Sequence, residues 1–153
     1  MRLCWTLTTL LAIGLAATLY LFLVRGSVAP ASDGRTAILL EPAERDLVLA
    51  EMRAFLQATQ SVLVAANAGD LTAAAAAARA VGAAAQQAVP ATLIGKLPLG
   101  FKQLGFDTHS RFDRLALDAT DLGDPSQTLT ALGELMSNCV GCHAAFRIDP
   151  VQP

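Results

Sequence analysis

The sequence has few charged residues, few aromatic residues and few cysteines, and each shortage excludes a class of protein. Only 16% of its 153 residues are charged and the formal net charge is −2, so it lacks the concentrated positive surface that nucleic-acid phosphates require. Aromatic residues make up 5%, too few for the stacking platforms that bind single strands. Three cysteines do not make a disulfide scaffold, and a hydrophobic content of 54% is incompatible with a disordered chain.

Much of the apolar character lies in one charge-free run near the N-terminus, residues 3–24, which Arg25 closes. As a helix this run would be about 33 Å long, enough to cross a hydrocarbon core. A small-residue site for signal cleavage, Ala29-Pro30-Ala31, follows it. Two alternatives remain for residues 1–25, an uncleaved anchor in the cytoplasmic membrane or a cleaved signal peptide. Both place the rest of the chain in the periplasm.

The remaining chain is predicted to form one tethered helical domain. Residues 26–40 contain a stretch rich in Gly, Pro, Ala and Ser and are expected to be a tether. Residues 41–149 show helical spacing without sustained period-2 alternation, which predicts an all-α domain. The predicted helices cover residues 42–68, 71–89, 108–120 and 125–149, with an irregular connection at residues 90–106. Four such helices pack most simply as an antiparallel four-helix bundle.

The predicted helix ends and core faces follow from local residue patterns. Asp70 and Asp124 are expected N-caps, and Pro42 and Pro125 are suited to a first helical turn. The expected inward positions are Val48, Met52, Phe55, Thr59, Val62 and Ala66 on the first helix, and Leu129, Leu132, Met136, Cys139 or Val140, His143 and Phe146 on the last. Residues 73–78 are all alanine, so a neighbouring helix could approach the second helix closely.

The sequence Cys139-Val140-Gly141-Cys142-His143 is the attachment signature of c-type haem. On a helix its three ligand-type side chains lie near one face, so both thiols can reach the haem vinyl groups while the imidazole reaches the iron. A thioredoxin-like site would need a βαβ setting, which the sequence does not predict. A zinc site would need four ligands, and only His109 is available to complete the set. We therefore predict one covalently attached haem c.

This C-terminal motif in a predicted helical bundle, followed four residues on by Arg147, resembles the class II c-type cytochromes, the cytochrome c prime group with its low-spin relatives. The resemblance covers residues 41–147. It implies that Arg147 pairs with a haem propionate; the residue pattern alone equally allows a helix-terminal cation. It also implies a homodimer through the first two helices, for which the alanine run offers a surface. The redox partner protein is unknown.

The sixth coordination position of the iron decides between two functions. Met52 lies about 15 Å into the first helix, and an antiparallel bundle brings it to the same end as His143. In low-spin relatives an early methionine is the sixth ligand, and Met52 stands in the comparable place; filling the core is its alternative role. His109 is a third candidate, although its polar neighbours favour a solvated, capping-type histidine.

The leading prediction is a periplasmic electron-transfer cytochrome with His143 and Met52 as axial ligands, because Met/His ligation favours ferrous iron. The alternative is a five-coordinate, cytochrome c prime-like haem protein that binds nitric oxide. We do not predict an enzyme, because no second acid-base constellation can be placed beside the iron.

Overall fold

Helices make up most of the protein, which a computed structural model describes over residues 2–151. The described α-helices are α1 Arg2–Leu19, α2 Pro42–Asn67, α3 Leu71–Arg79, α4 Ala91–Lys96, α5 Leu99–Leu122 and α6 Pro125–Ala145. A π-helical segment, Tyr20–Arg25, follows α1, and a 3₁₀ segment, Ala83–Ala88, precedes α4. The strands are β1 Val28–Pro30, β2 Thr36–Leu40 and β3 Phe146–Pro150.

Helices α2, α3 and α6 begin where the sequence predicts. The Asp70 carboxylate accepts a hydrogen bond from the amide of Ala73 at 2.9 Å, and the Asp124 carboxylate accepts one from Ser126 at 2.8 Å. Each cap satisfies a backbone donor that has no partner within its helix. Gly69, with φ of 74°, ends α2 in a left-handed conformation that residues with a side chain rarely adopt. Both N-cap predictions are confirmed.

Helices α2, α3, α5 and α6 enclose the larger apolar core: α3 packs on α2 and α5, while α6 packs on α5 and α2. Most expected inward positions of α2 are buried, with Met52 and Thr59 half-buried. On α6 the buried residues are Thr128, Leu132, Leu135 and Asn138, whereas Met136 and His143, expected to face inward, are exposed and line a cavity between the helices. Ala74, Ala75 and Ala78 of α3 are buried within the chain and so cannot contact a second copy.

The second and third predicted helices have the wrong bounds. The second ends at Arg79, because the chain turns at Gly82 and the next amide, Ala83, donates to the Asp113 carboxylate of α5 at 2.8 Å. The third begins at Leu99 instead of residue 108, and α4 occupies part of the connection expected to be irregular. Burial of Phe101 in a second core cluster supports the first turn of α5 despite two nearby glycines.

A three-stranded sheet corrects the expectation of an all-α domain. Strand β2 pairs antiparallel with β1 and parallel with β3, in the order β1-β2-β3. Ile38 and Leu40 of β2 are fully buried. Residues 26–40, expected to be a tether, therefore include two strands, and α6 ends at Ala145 because the chain then pairs with β2. Strands of three to five residues are too short to show a clear alternation of apolar and polar residues. Their pairing with distant segments also leaves no local signal in the sequence.

The N-terminal helical segment is exposed. Trp5–Arg25 is 21 residues long and apolar enough to cross a membrane, and none of it is buried. A signal sequence meets the same criteria. The structure therefore contains one N-terminal apolar helix of membrane-spanning length within its described part.

Candidate functional site

A cavity of about 400 Å³ lies between α2, α5 and α6, and four of the residues that the sequence analysis selected line it. Cys139, Cys142 and His143 contribute from α6, and Met52 contributes from α2. The other walls are mainly apolar and include Leu49, Leu56, Phe101, Leu104 and Met136. The cavity is within the size range of small-molecule and cofactor sites.

The α6 wall follows from helical spacing. Cys139 and Cys142 are half-buried free thiols, and His143 is exposed at the same cavity. Val140, between the cysteines, is 69% exposed and lies outside this lining. Positions i, i+3 and i+4 of the motif are therefore brought together, as predicted, while the intervening residue faces solvent.

Burial favours the protonated form of both thiols. It raises the pKa of Cys142 to about 11 and shifts the pKa of Cys139 in the same direction. A thiol that acts as a nucleophile or metal ligand normally has a lowered pKa. Among the described residues, no group of three or more His, Cys, Asp or Glu side chains could hold a metal ion unaided. These thiols do not resemble those of a thioredoxin-like redox site.

Met52 lies on the wall that α2 contributes, and the structure brings it to the same cavity as His143. The two residues also line an adjoining cavity of about 190 Å³, together with Phe101 and Cys142. Met52 packs against both core clusters. The Met52 side chain therefore contributes both to the apolar packing of the core and to the surface of the cavity.

A buried amide, missed by the sequence analysis, supports the cavity from within α6. Asn138 is 8% exposed, and its Nδ2 donates to the Asp107 carboxylate at 2.8 Å and to Thr108 Oγ1 at 3.3 Å. The hydrogen bond from Asn138, with one from Arg111, lowers the pKa of Asp107. Because Asn138 precedes Cys139 directly, these bonds fix the rotation of α6 relative to α5. In the sequence, a single asparagine within a helical pattern does not indicate that it is buried or that it bonds to another helix.

Two arginines lie at the smaller cavity, where the sequence analysis expected one. Arg147 is in β3, beyond the end of α6, so its interpretation as a helix-terminal cation is wrong. Its Nε donates to Asp149 at 2.9 Å, and its Nη1 is 3.3 Å from the Asp33 carboxylate. Arg35, which the sequence analysis missed, donates from Nη1 to the carbonyl of His143 at 3.3 Å.

The arginines and their acidic partners form one surface cluster: Asp33, Arg35, Arg147 and Asp149. Hydrogen bonds from Arg35 lower the pKa of Asp33 to about 2. Arg35 also satisfies a backbone acceptor in the last turn of α6, where a cation is favoured by the helix dipole. The cluster thereby connects the turn between β1 and β2 to the turn that carries His143.

His109 is buried, which corrects the expectation of a solvated capping histidine. It lies within α5 at 3% exposure, with Nδ1 2.7 Å from the carbonyl of Val81 and Nε2 3.2 Å from the Glu51 carboxylate. Its ring packs on Phe55 with a centroid separation of 4.7 Å. The helix begins nine residues earlier than predicted, so this position is internal instead of terminal. His109 is not in the lining of the 400 Å³ cavity.

The protonation of His109 should make stability depend on pH. Burial lowers the pKa of His109, but hydrogen bonds with Glu51 and Val81 outweigh it and leave the pKa above its ordinary value of 6.5. A pKa that is raised by folding stabilises the protein below the unfolded-state value, and this contribution is lost as the pH rises through the folded-state value. We expect the free energy of unfolding, measured with urea, to fall more steeply above about pH 6.5 in the wild type than in His109→Gln. Equal slopes would contradict the prediction.

No family model matches the chain, and no curated protein and no solved structure matches it.

Proposed function

We propose that this protein is a mono-haem c-type cytochrome that transfers electrons in the periplasm. Cys139 and Cys142 would hold the haem through thioethers, and His143 and Met52 would bind its iron. One observation carries the proposal: two thiols, an imidazole and a thioether line a single apolar cavity. We further propose that α2, α3, α5 and α6 form the antiparallel four-helix bundle of the class II cytochromes that the sequence resembles.

The residues fit a haem in the chemistry of their donor atoms and in the polarity of the cavity walls. Protonated thiols add across vinyl groups, so each Cys S–H supplies both the sulfur and the hydrogen of a thioether linkage. The imidazole and thioether are the ligand pair of electron-transfer haems. Apolar walls suit a porphyrin face. Arg35 and Arg147 line the adjoining cavity, and because they are paired with Asp33 and Asp149, haem propionates would have to share or displace these carboxylates.

The haem, when bound, supplies a one-electron redox centre. The chain's own contribution is to position the ligands on packed helices and to exclude water from the porphyrin faces. Met52 is held by contacts with both core clusters, and the rotation of α6 is held by Asn138. Ligands that move little between oxidation states keep the reorganisation small, which favours electron transfer.

Absorption spectroscopy of the protein produced with its haem-attachment machinery tests the proposal. We expect the haem to remain with the polypeptide in acid-acetone and the ferric protein to be low-spin near neutral pH. Complete extraction of haem would overturn the covalent site. A high-spin ferric protein that binds carbon monoxide rapidly when reduced would instead support the gas-binding alternative, in which Met52 only lines the cavity.

We also propose that the N-terminal helix remains as an anchor in the cytoplasmic membrane. The candidate cleavage site coincides with the end of β1 and the turn before β2, so cleavage after Ala31 would remove a strand that is paired with β2. Mass spectrometry of the protein purified from membranes should therefore give a chain that retains residues 5–25. A mature chain that begins at Ser32 would contradict the anchor and leave the haem site untouched.

A further inference from the structure

The end of the apolar helical segment is packed against the domain instead of leading into a free linker. Within its described part, α1 contacts the π-helical segment Tyr20–Arg25, which in turn contacts α4 and α5. The ring of Phe22 lies against Gly95 of α4, so closely that a Cβ there would collide with it. The amide of Ser27 donates to the carbonyl of Lys96 at 2.7 Å.

Lys102 makes the polar part of this junction. It lies in the first turn of α5 at 9% exposure, and its ammonium donates to the carbonyls of Phe22 and Leu23 at 3.2 and 3.0 Å. These carbonyls belong to the last turn of the helical segment, where backbone acceptors lack helical partners and the dipole favours a cation. A lysine in the domain thus caps the helix that precedes the domain. Burial lowers the pKa of Lys102, as expected for an ammonium held away from bulk water.

The backbone at the junction admits little freedom. Gly26 has φ of 68°, and a side chain at this position would collide with the backbone of Lys96 and Leu97. The next residue, Ser27, donates its amide to Lys96 and accepts a hydrogen bond from the amide of Leu39, and the chain then enters β1. The two residues between the helical segment and β1 are therefore both held in place, and no flexible linker separates the helix from the sheet.

We propose that Lys102 is a positioning residue that locks the N-terminal helix to the domain, so that the membrane holds the Met52–His143 cavity in one fixed orientation. The binding partner of the N-terminal helix is the lipid bilayer. Lys102 is the residue of the domain that holds this helix, and we call its contact with Phe22 and Leu23 the joint. Fixed orientation would restrict which redox partners can approach the cavity edge. The orientation of a haem rests on the proposed function; the joint itself does not.

Trypsin cleavage after the exposed Arg25 measures opening of the joint without reference to haem. The full chain in lipid nanodiscs should be cut slowly there in the wild type. Lys102→Met should be cut at least about 10-fold faster, because the end of the helix loses its cap. Lys102→Arg, which keeps a cationic donor, should remain close to the wild type. Gly95→Ala should also be cut faster, because its Cβ displaces Phe22 while alanine favours the helical conformation of α4.

Lys96→Met is the matched control, because the Lys96 ammonium binds Glu44 of α2 at 2.7 Å and not the N-terminal segment. Its cleavage rate after Arg25 should be that of the wild type. Circular dichroism verifies that each variant is folded. Wild-type rates in both Lys102→Met and Gly95→Ala would overturn the proposal, as would equal acceleration by Lys96→Met. Neither result would bear on haem attachment, which is read from the spectrum.

Discussion

Replacing Met52 by alanine should convert the ferric protein from low-spin to high-spin and open the ferrous protein to carbon monoxide. The thioether is the only methionine sulfur on the α2 wall of the cavity, among the described residues. Under the proposed function, its loss would leave the haem iron with His143 but without a soft ligand. Because Met52 is half-buried, the accompanying loss of stability should be about 2 kcal/mol. Absorption spectroscopy and urea unfolding measure the two effects separately.

Met52→Leu is the informative control, because it keeps most of the side-chain volume while removing the sulfur. It should cost less than about 1.5 kcal/mol in stability yet show the same spin change as Met52→Ala. Met136 offers a second control: it lines the same cavity from α6, on the side of the cysteines, and is 42% exposed. Met136→Leu should leave the spectrum unchanged. A low-spin Met52→Leu protein would show that Met52 only fills the core.

Replacing both Cys139 and Cys142 by alanine should abolish covalent haem attachment, so that all haem is extracted by acid-acetone. The two thiols are half-buried on one cavity wall, and no other described cysteine lies there. Each single variant should retain haem through one remaining thioether. The mass of the polypeptide reports attachment directly and does not depend on the oxidation state of the iron.

The serine variants of the two cysteines separate chemistry from packing. Serine is close in size to cysteine but does not form the thioether, so Cys139→Ser with Cys142→Ser should also lose the haem. Val140→Ala, in the exposed position between the cysteines, should attach haem as the wild type does. Covalent haem in the double serine variant would contradict the assignment of these thiols.

The sequence predicted the wall residues of the cavity well because their positions depend on helical spacing. The bounds of α2, the start of α6 and the shared face of Cys139, Cys142 and His143 all follow from local patterns. The depth of Met52 in its helix was enough to place it opposite α6. Helical periodicity and helix caps depend only on neighbouring residues, so they can be recognised in a single sequence.

The residues that the sequence missed act through contacts between distant segments. Asn138 meets Asp107 across two helices, Arg35 reaches the carbonyl of His143 over more than one hundred residues, and Lys102 caps a helix that ends before the domain begins. His109 was misjudged because its helix starts earlier than the glycines suggested. Each error arises where tertiary packing overrides local propensity.

The parallel pairing of β2 with β3 also constrains the order of events during biogenesis. Thr36 lies opposite Phe146 in the sheet, so one strand is synthesised more than one hundred residues before its partner. Pairs so far apart in sequence carry a large loop-closure cost and form late. The segment that bears Cys139 and Cys142 directly precedes β3, so under the proposed function both thiols would be open to an attachment enzyme before β3 pairs with β2. Pairing of β3 with β2 would then follow haem attachment, and the sheet would be completed only after that chemistry.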